Sequence, residues 1–252
     1  MFTSNPFAEL SASLSPTVMQ AYIVVMVLMV AGGTLLDMYL KKSATYFFRT
    51  WRDSTARATR RLGGGEMTSL AVRTAMVEVL TSGEFCKPGR RIAHLLSFYG
   101  FLAYIITTVI MVFWYPTPET PAPAILPVLW NIGALMVLAG GYWFWFFLRV
   151  DVAYEGKSPF RLMRADLFVV SLLVSVTLGL IWAFAQATGD SAWTTLFLAL
   201  YILSTTVLFA SVPWSKFSHM FYKPAAAFQK RVEQANGSSN MPAPAIRPRG
   251  DL

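Results

Sequence analysis

The sequence predicts an all-α membrane protein, a bundle of five transmembrane helices with its N-terminus outside and its C-terminus in the cytoplasm. Mean hydropathy is +0.50 and only 13% of the 252 residues are charged, which excludes an ordinary soluble domain. Five apolar stretches are each long enough to cross a bilayer. All 21 lysines and arginines fall in segments 41–91, 149–164 and 216–249, which these stretches place on one side of a membrane. Because cytoplasmic loops retain Lys and Arg, the asymmetry predicts the orientation.

The apolar stretches also predict the domain organisation. We expect an external N-terminus (1–16), a first transmembrane helix (17–40), a basic cytoplasmic connector (41–91), a four-helix membrane core (92–224) and a cytoplasmic tail (225–252). The tail is rich in Ser, Pro and Gly, which predicts that it is largely disordered. The N-terminal residues lack the positive charges of a cleavable signal peptide, so we expect the first apolar stretch to remain as a span.

The basic connector predicts two short amphipathic helices. Aromatic side chains and arginines are mixed over Tyr46–Arg61, which favours a helix on the membrane surface or beneath a partner. Gly63-Gly64-Gly65 should break that helix, and a second should cover Ser69–Thr81. Farther along, Asp166 precedes the fourth apolar stretch and is a candidate helix cap.

Charge and cysteine content restrict the classes of function. The net charge of +8 is explained by the membrane orientation, so we predict no nucleic-acid partner, although a basic cytoplasmic face could dock an acidic protein. A single cysteine, Cys86, cannot form a disulfide within the chain or hold an iron–sulfur cluster or a structural zinc. Any redox centre must therefore be held in another way.

The two histidines are the candidate cofactor ligands. His94 starts the second span and His219 follows the fifth, so both are predicted near the cytoplasmic face. Two imidazoles facing each other across a bundle can ligate a haem iron, and Arg90, Arg91 and Lys216 could pair with its propionates. Ionisable residues in spans are costly, which favours a function for His94. The alternative is that His219 is only an interfacial polar residue at a helix end.

Two segments resemble a known family. The string Ser-Lys-Phe-Ser-His-Met-Phe-Tyr-Lys-Pro at 215–224 and the segment 91–101 are similar to the nitrate reductase gamma-subunit superfamily of membrane b-type cytochromes. In length and organisation the chain most resembles the membrane anchor of adenylylsulfate reductase. The resemblance implies a subunit, rather than an independent enzyme, that links a cytoplasmic oxidoreductase of sulfur metabolism to the quinone pool. One haem b between His94 and His219 would carry the electrons, with quinone as substrate.

The resemblance also has a departure. Family members with two haems have a second histidine pair where this chain has Tyr104 and Tyr201. Two tyrosines across a bundle are usually a packed or hydrogen-bonded pair, so we expect no outer haem.

The implied partner is a cytoplasmic flavin and iron–sulfur oxidoreductase, docked on the 41–91 connector and the C-terminal segment. The implied location is the bacterial inner membrane, where the chain also contacts lipids. The alternative hypothesis is a haem-free docking anchor with no redox centre of its own. A transporter is least favoured, because the spans lack the buried charges that it would need.

Overall fold

Helices form the regular structure of this chain. The computed structural model describes residues 2–83, 85, 87–151, 155–215 and 219–239, and no strand occurs in that part. In chain order the helices are α1 (Pro6–Leu10), α2 (Pro16–Lys41), α3 (Ser43–Ala56), α4 (Gly64–Thr74), α5 (Pro88–Trp114), α6 (Ile125–Trp143), α7 (Leu167–Thr188), α8 (Ser191–Ala210) and α9 (His219–Asn236). The chain divides into unit 1, Met1–Asp37 with Phe85–Ser218, and unit 2, Met38–Glu84 with His219–Leu252.

Five helices of the described chain are long and apolar enough to cross a membrane: α2, α5, α6, α7 and α8. A π-helical segment, Phe144–Leu148, continues α6 without a break. The all-helical prediction and its five candidate spans are therefore confirmed.

Sequence signals set the ends of these helices. Pro88 stands in the first turn of α5, where its missing N–H costs no hydrogen bond. Gly189 ends α7 with a φ of 79°, a left-handed conformation that favours glycine. The Asp190 side chain then accepts hydrogen bonds from the N–H groups of Ala192 and Trp193, which caps the start of α8.

Close backbone approach holds α5 against α6. A Cβ atom added to Gly133 would lie 2.8 Å from the carbonyl oxygen of Gly100 and 2.8 Å from the Tyr104 nitrogen. Small residues at such crossings let helices pack without a hydrophobic driving force, since lipid is as apolar as the helix surface. The core beside this crossing includes the fully buried side chains of Trp130, Trp182 and Met111.

Polar contacts fix α2 to the other helices of unit 1. The Tyr22 hydroxyl lies 3.1 Å from the Ile202 carbonyl oxygen, to which it donates, and the Gln20 amide donates to the Val112 carbonyl at 3.1 Å. Much of the rest of α2 is exposed and apolar, as at Leu28, which suits a helix that faces lipid.

Unit 2 combines the basic connector with the C-terminal segment. Trp51 of α3 stacks on Phe228 of α9 at 5.9 Å, and the Arg231 guanidinium of α9 lies 2.7 Å from the Glu78 carboxylate. Asn236 accepts hydrogen bonds through its carbonyl from Thr59. These contacts explain why α9 continues through residues 225–236, part of the tail predicted to be largely disordered.

The start of α4 differs from the prediction. Two helices are present, α3 and α4, but α4 begins at Gly64, inside the glycine triplet, rather than near Ser69, and a π-helical segment, Ala75–Leu80, continues it. The Glu66 carboxylate accepts a hydrogen bond from the Gly63 N–H at 3.1 Å and from the Arg60 guanidinium at 3.0 Å. These bonds cap the exposed N-terminus of the helix and lower the pKa of Glu66.

Candidate functional site

His94 lies in the second turn of α5 among aromatic rings. Its half-buried imidazole is 4.9 Å from the Phe85 ring and 6.3 Å from the Phe98 ring, with an angle of 8° between the planes of His94 and Phe98. Residues four apart share a helix face, which explains why Phe98 lies over the imidazole. These two ring contacts orient the plane of the imidazole.

The structure describes two of the three predicted propionate partners, Arg90 and Arg91, both in α5. Arg90 pairs with a protein carboxylate, that of Glu155, at 2.9 Å, and its guanidinium lies 5.6 Å from the centre of the Phe85 ring. Arg91 occupies the same turn of α5. Lys216 lies outside the described residues, as does Cys86.

The second histidine belongs to the other unit. His219 begins α9 in unit 2, whereas His94 belongs to unit 1, and the His219 side chain lies outside the described part. In the described part no three His, Cys, Asp or Glu side chains form a group that could hold a metal ion. The two-histidine site stays a prediction.

Tyr104 and Tyr201 form a buried hydrogen-bonded pair. The Tyr104 hydroxyl donates to the Tyr201 hydroxyl at 2.9 Å, and both side chains are buried. Trp130 stacks on Tyr104 at 5.0 Å, and Trp182 stacks on Tyr201 at 5.8 Å. The positions where the resemblance implied missing haem ligands thus form one aromatic stack across α5, α6, α7 and α8.

The N-terminal segment closes one end of this stack. Phe7 contacts Trp130 at 6.0 Å and Trp182 at 5.4 Å, and it is nearly fully buried. The Asn5 amide donates to the Tyr115 carbonyl at 2.8 Å, which holds α1 in place. The residues expected as an external N-terminus therefore include part of the core of unit 1.

Sequence reasoning missed the role of Arg149, which is 0% exposed at the end of the π-helical segment. Its guanidinium pairs with the Asp166 carboxylate, donates to the Ser158 carbonyl at 3.0 Å and lies 4.1 Å from the centre of the Trp145 ring. The sequence contained part of the signal for these contacts, since Trp145 precedes Arg149 by four residues and residues at that spacing share a helix face. Asp166 does not cap α7 through its side chain, because its carboxylate binds Arg149 and the Met163 N–H instead.

The comparisons with known proteins identify the family. The family model described as citrate utilization protein B matches residues 6–240. The chain belongs to this family. Citrate utilization protein B of Escherichia coli is 28% identical over 157 residues, which cover 59% of this chain and 39% of the relative. The alignment therefore spans about two fifths of that relative's length. No solved structure matches this chain.

Family membership corrects the interpretation from resemblance. Assignment to the nitrate reductase gamma-subunit superfamily is wrong, because the family that matches nearly the whole chain is citrate utilization protein B. The function as a haem-dependent electron-transfer anchor of adenylylsulfate reductase is wrong for the same reason, as is its link to sulfur metabolism, and the haem-free anchor alternative has no support. The bilayer imposes apolar helices with aromatic and basic ends on unrelated proteins, so short strings of that composition are weak signals of descent.

Proposed function

We propose that this chain is a membrane-embedded component of citrate utilization that acts in a step other than carrying citrate across the bilayer. The observation that carries the proposal is the family match over residues 6–240, together with the name of the Escherichia coli relative. Because the alignment covers 39% of that relative, the relative's whole activity is not transferred to this chain.

The charges of the bundle argue against citrate carriage. Citrate is a trianion near neutral pH, and a carrier needs cationic side chains or helix N-termini free to bind it inside the membrane. Arg149 is the only fully buried lysine or arginine among the described residues. Its guanidinium is already engaged by the Asp166 carboxylate, by two backbone carbonyls and by the Trp145 ring.

The proposed location is the bacterial inner membrane, with the N-terminus outside and unit 2 in the cytoplasm. The distribution of Lys and Arg supports this orientation. Packing of α9 on α3 within unit 2 supports placing the 41–91 connector and the C-terminal segment on one side. Thiol labelling of intact cells tests it: in a Cys86→Ser background, Glu119→Cys should react with an impermeant reagent and Asp53→Cys only after lysis. Labelling of Asp53→Cys in intact cells would overturn the orientation.

A haem b with His94 and His219 as ligands, and quinone as substrate, remains a proposal about the cofactor. The setting of His94 fits a ligand, since its imidazole is half-buried and oriented by two aromatic rings. A haem with two imidazole ligands would supply one-electron transfer. Arg90, Arg91 and Lys216 would be the cations beside its propionates, and Arg90 also pairs with Glu155.

Spectroscopy tests the cofactor separately from the pathway. The dithionite-reduced minus oxidised spectrum of the purified chain should show one haem per chain. His94→Ala and His219→Ala should each abolish the haem signal, whereas Tyr104→Phe, a control at the tyrosine pair, should retain it. Absence of haem from the wild-type protein would contradict this cofactor and leave the proposed place in citrate utilization untouched.

A cytoplasmic flavin and iron–sulfur oxidoreductase also remains the proposed partner, with unit 2 as its docking surface. The exposed arginines of α3, Arg49 and Arg52, support an acidic partner. Charge reversal at both positions should abolish co-purification of that oxidoreductase, whereas Glu119→Lys on the opposite connector should not. Retention after reversal would overturn the docking surface.

Growth and uptake measurements test the main proposal. A strain that lacks the gene should fail to grow on citrate, grow normally on succinate and take up labelled citrate at an unchanged initial rate. Complementation with Gly32→Ala, where an added Cβ has open space, should restore growth. Normal growth of the deletion strain on citrate would contradict the pathway. Loss of citrate uptake in the deletion strain, together with citrate accumulation by the purified chain in liposomes, would show that the chain carries citrate and would overturn that part of the proposal.

A further inference from the structure

The connector between α6 and α7 has a defined shape. Its described residues after the gap, 155–166, follow the end of the π-helical segment and lead into a short 3-10 turn, Arg164–Asp166. The Lys157 N–H donates to the Arg149 carbonyl at 2.9 Å, and the Arg161 N–H donates to the Ser158 carbonyl at 3.1 Å. Both flanking helices are candidate spans, so this connector lies at a face of the membrane.

Arg149 fixes the connector from the inside. Its guanidinium donates to the carbonyls of Ser158 and Arg161 at 3.0 Å and 2.9 Å and pairs with Asp166. These contacts use the backbone of the connector, so the side chains between them are left to point outward. Arg149 thus holds the connector backbone in one conformation, with the side chains of the connector directed outward.

The displayed side chains alternate between apolar and cationic. Phe160 is 90% exposed and Leu162 is 66% exposed. Such exposure is expected on a helix that faces lipid, but these two apolar residues belong to a connector. Arg161 and Arg164 are exposed between and beside them, and in the described part no carboxylate lies within 4.0 Å of either guanidinium. Exposed aromatic and aliphatic groups interleaved with arginines suit the boundary of headgroups and acyl chains.

We propose that residues 157–164 form a membrane-interface anchor that inserts Phe160 and Leu162 among anionic phospholipids, with Arg161 and Arg164 on the headgroup phosphates. Charge complementarity selects this occupant, because the connector belongs to the side that holds all the Lys and Arg of the chain. Anionic headgroups attract such juxtamembrane cations, and apolar tips gain by leaving water. The position between two spans places these side chains beside the bilayer without any partner protein.

A spin-label depth measurement tests the anchor in the full chain. In a Cys86→Ser background, a nitroxide at Phe160→Cys is compared in phosphatidylglycerol and phosphatidylcholine nanodiscs. Its control is a nitroxide at Glu119→Cys, an exposed position in the connector between α5 and α6. The nitroxide at position 160 should collide more often with oxygen, which dissolves in the bilayer, than with the water-soluble nickel relaxant. The nitroxide at position 119 should collide more often with nickel.

A second experiment tests whether the anchor requires anionic lipid. Arg161→Gln with Arg164→Gln, in the Phe160→Cys background, should reduce label depth in phosphatidylglycerol to the value in phosphatidylcholine. The preference of the protein for spin-labelled phosphatidylglycerol over phosphatidylcholine should fall by at most about fivefold for each charge removed. A label at 160 as water-accessible as that at 119 in both lipids would overturn the anchor. Unchanged depth and lipid preference in the double Gln variant would overturn the role of anionic headgroups.

Discussion

Tyr104 of α5 and Tyr201 of α8 are joined by a hydrogen bond between their hydroxyl groups, 2.9 Å long, in the buried core of unit 1. The bond links two closely packed helix pairs, α5 with α6 and α7 with α8. Each tyrosine also stacks on a tryptophan, Trp130 or Trp182, of the helix next to its own. A polar contact in an apolar core specifies which faces meet, since either hydroxyl alone would be unsatisfied.

Removal of one hydroxyl should therefore destabilise the bundle. Tyr104→Phe or Tyr201→Phe alone should lower the free energy of unfolding by about 1–3 kcal/mol, because the remaining hydroxyl is buried without its partner. The double variant should lose less than the sum of the two single losses. Denaturation in detergent micelles measures the coupling. Additive losses would show that the bond contributes nothing beyond packing.

Gly133 tests the close approach of α5 and α6. Gly133→Ala should lower the free energy of unfolding by about 1–3 kcal/mol, because its Cβ would meet backbone atoms of Gly100 and Tyr104 that cannot move independently. Gly32→Ala is the matched control, since its Cβ has nothing within 4 Å. Thermal unfolding in micelles gives both values. Equal effects at the two positions would refute the proposed crossing.

Arg149 should behave as the centre of the α6–α7 connector. Arg149→Met removes the cation that pairs with the Asp166 carboxylate and the donor to two carbonyls, so we expect a loss of about 3–5 kcal/mol in the free energy of unfolding. Hydrogen exchange should also increase over residues 155–166. Arg149→Lys should recover only part of the loss, because an ammonium cannot reproduce the forked guanidinium contacts. Glu119→Gln, an exposed control in the connector between α5 and α6, should change neither measurement.

The contact between Arg231 and Glu78 holds the C-terminal helix within unit 2. Both side chains are about one-fifth exposed, so Arg231→Glu should lower the unfolding temperature of the unit modestly, with a coupling of about 1 kcal/mol at most. The exchanged pair, Arg231→Glu with Glu78→Arg, should restore most of that loss. Failure of the exchange to restore stability would assign α9 docking to its other contacts in unit 2, among them the Trp51–Phe228 stack and the hydrogen bond from Thr59 to Asn236.

Glu66 gives unit 2 a pH dependence of known sign. Hydrogen bonds from Gly63 and Arg60 lower the pKa of this carboxyl in the folded state. Its stabilising contribution is therefore complete above the ordinary pKa of a glutamate and is lost as the pH falls through the lowered value. Hydrogen exchange at the start of α4 should be slower in the wild type than in Glu66→Gln at pH 7, with the difference shrinking in acid. A difference that persists below pH 3 would contradict the charged cap.

Predictions from the sequence were sound wherever one residue type acts through its own helix. Apolar length placed α2, α5, α6, α7 and α8, because a span must satisfy its backbone internally and cover the hydrocarbon thickness. The start of α4 was placed too late, since a glycine can start a helix as well as end one when a capping glutamate follows. The family assignment failed because short strings of aromatic and basic residues are common at membrane faces.

What the sequence determined by itself is the class of protein: helical, with five apolar spans and positive charge confined to alternate connectors. Only the tertiary structure decided that Tyr104 meets Tyr201, that Arg149 folds a connector around itself, and that α9 packs on α3. The pattern of apolar residues along a helix shows whether each face prefers water or an apolar environment, and this preference belongs to each helix by itself. Partner choice between polar side chains depends on which distant helices pack together, and no local pattern contains that information.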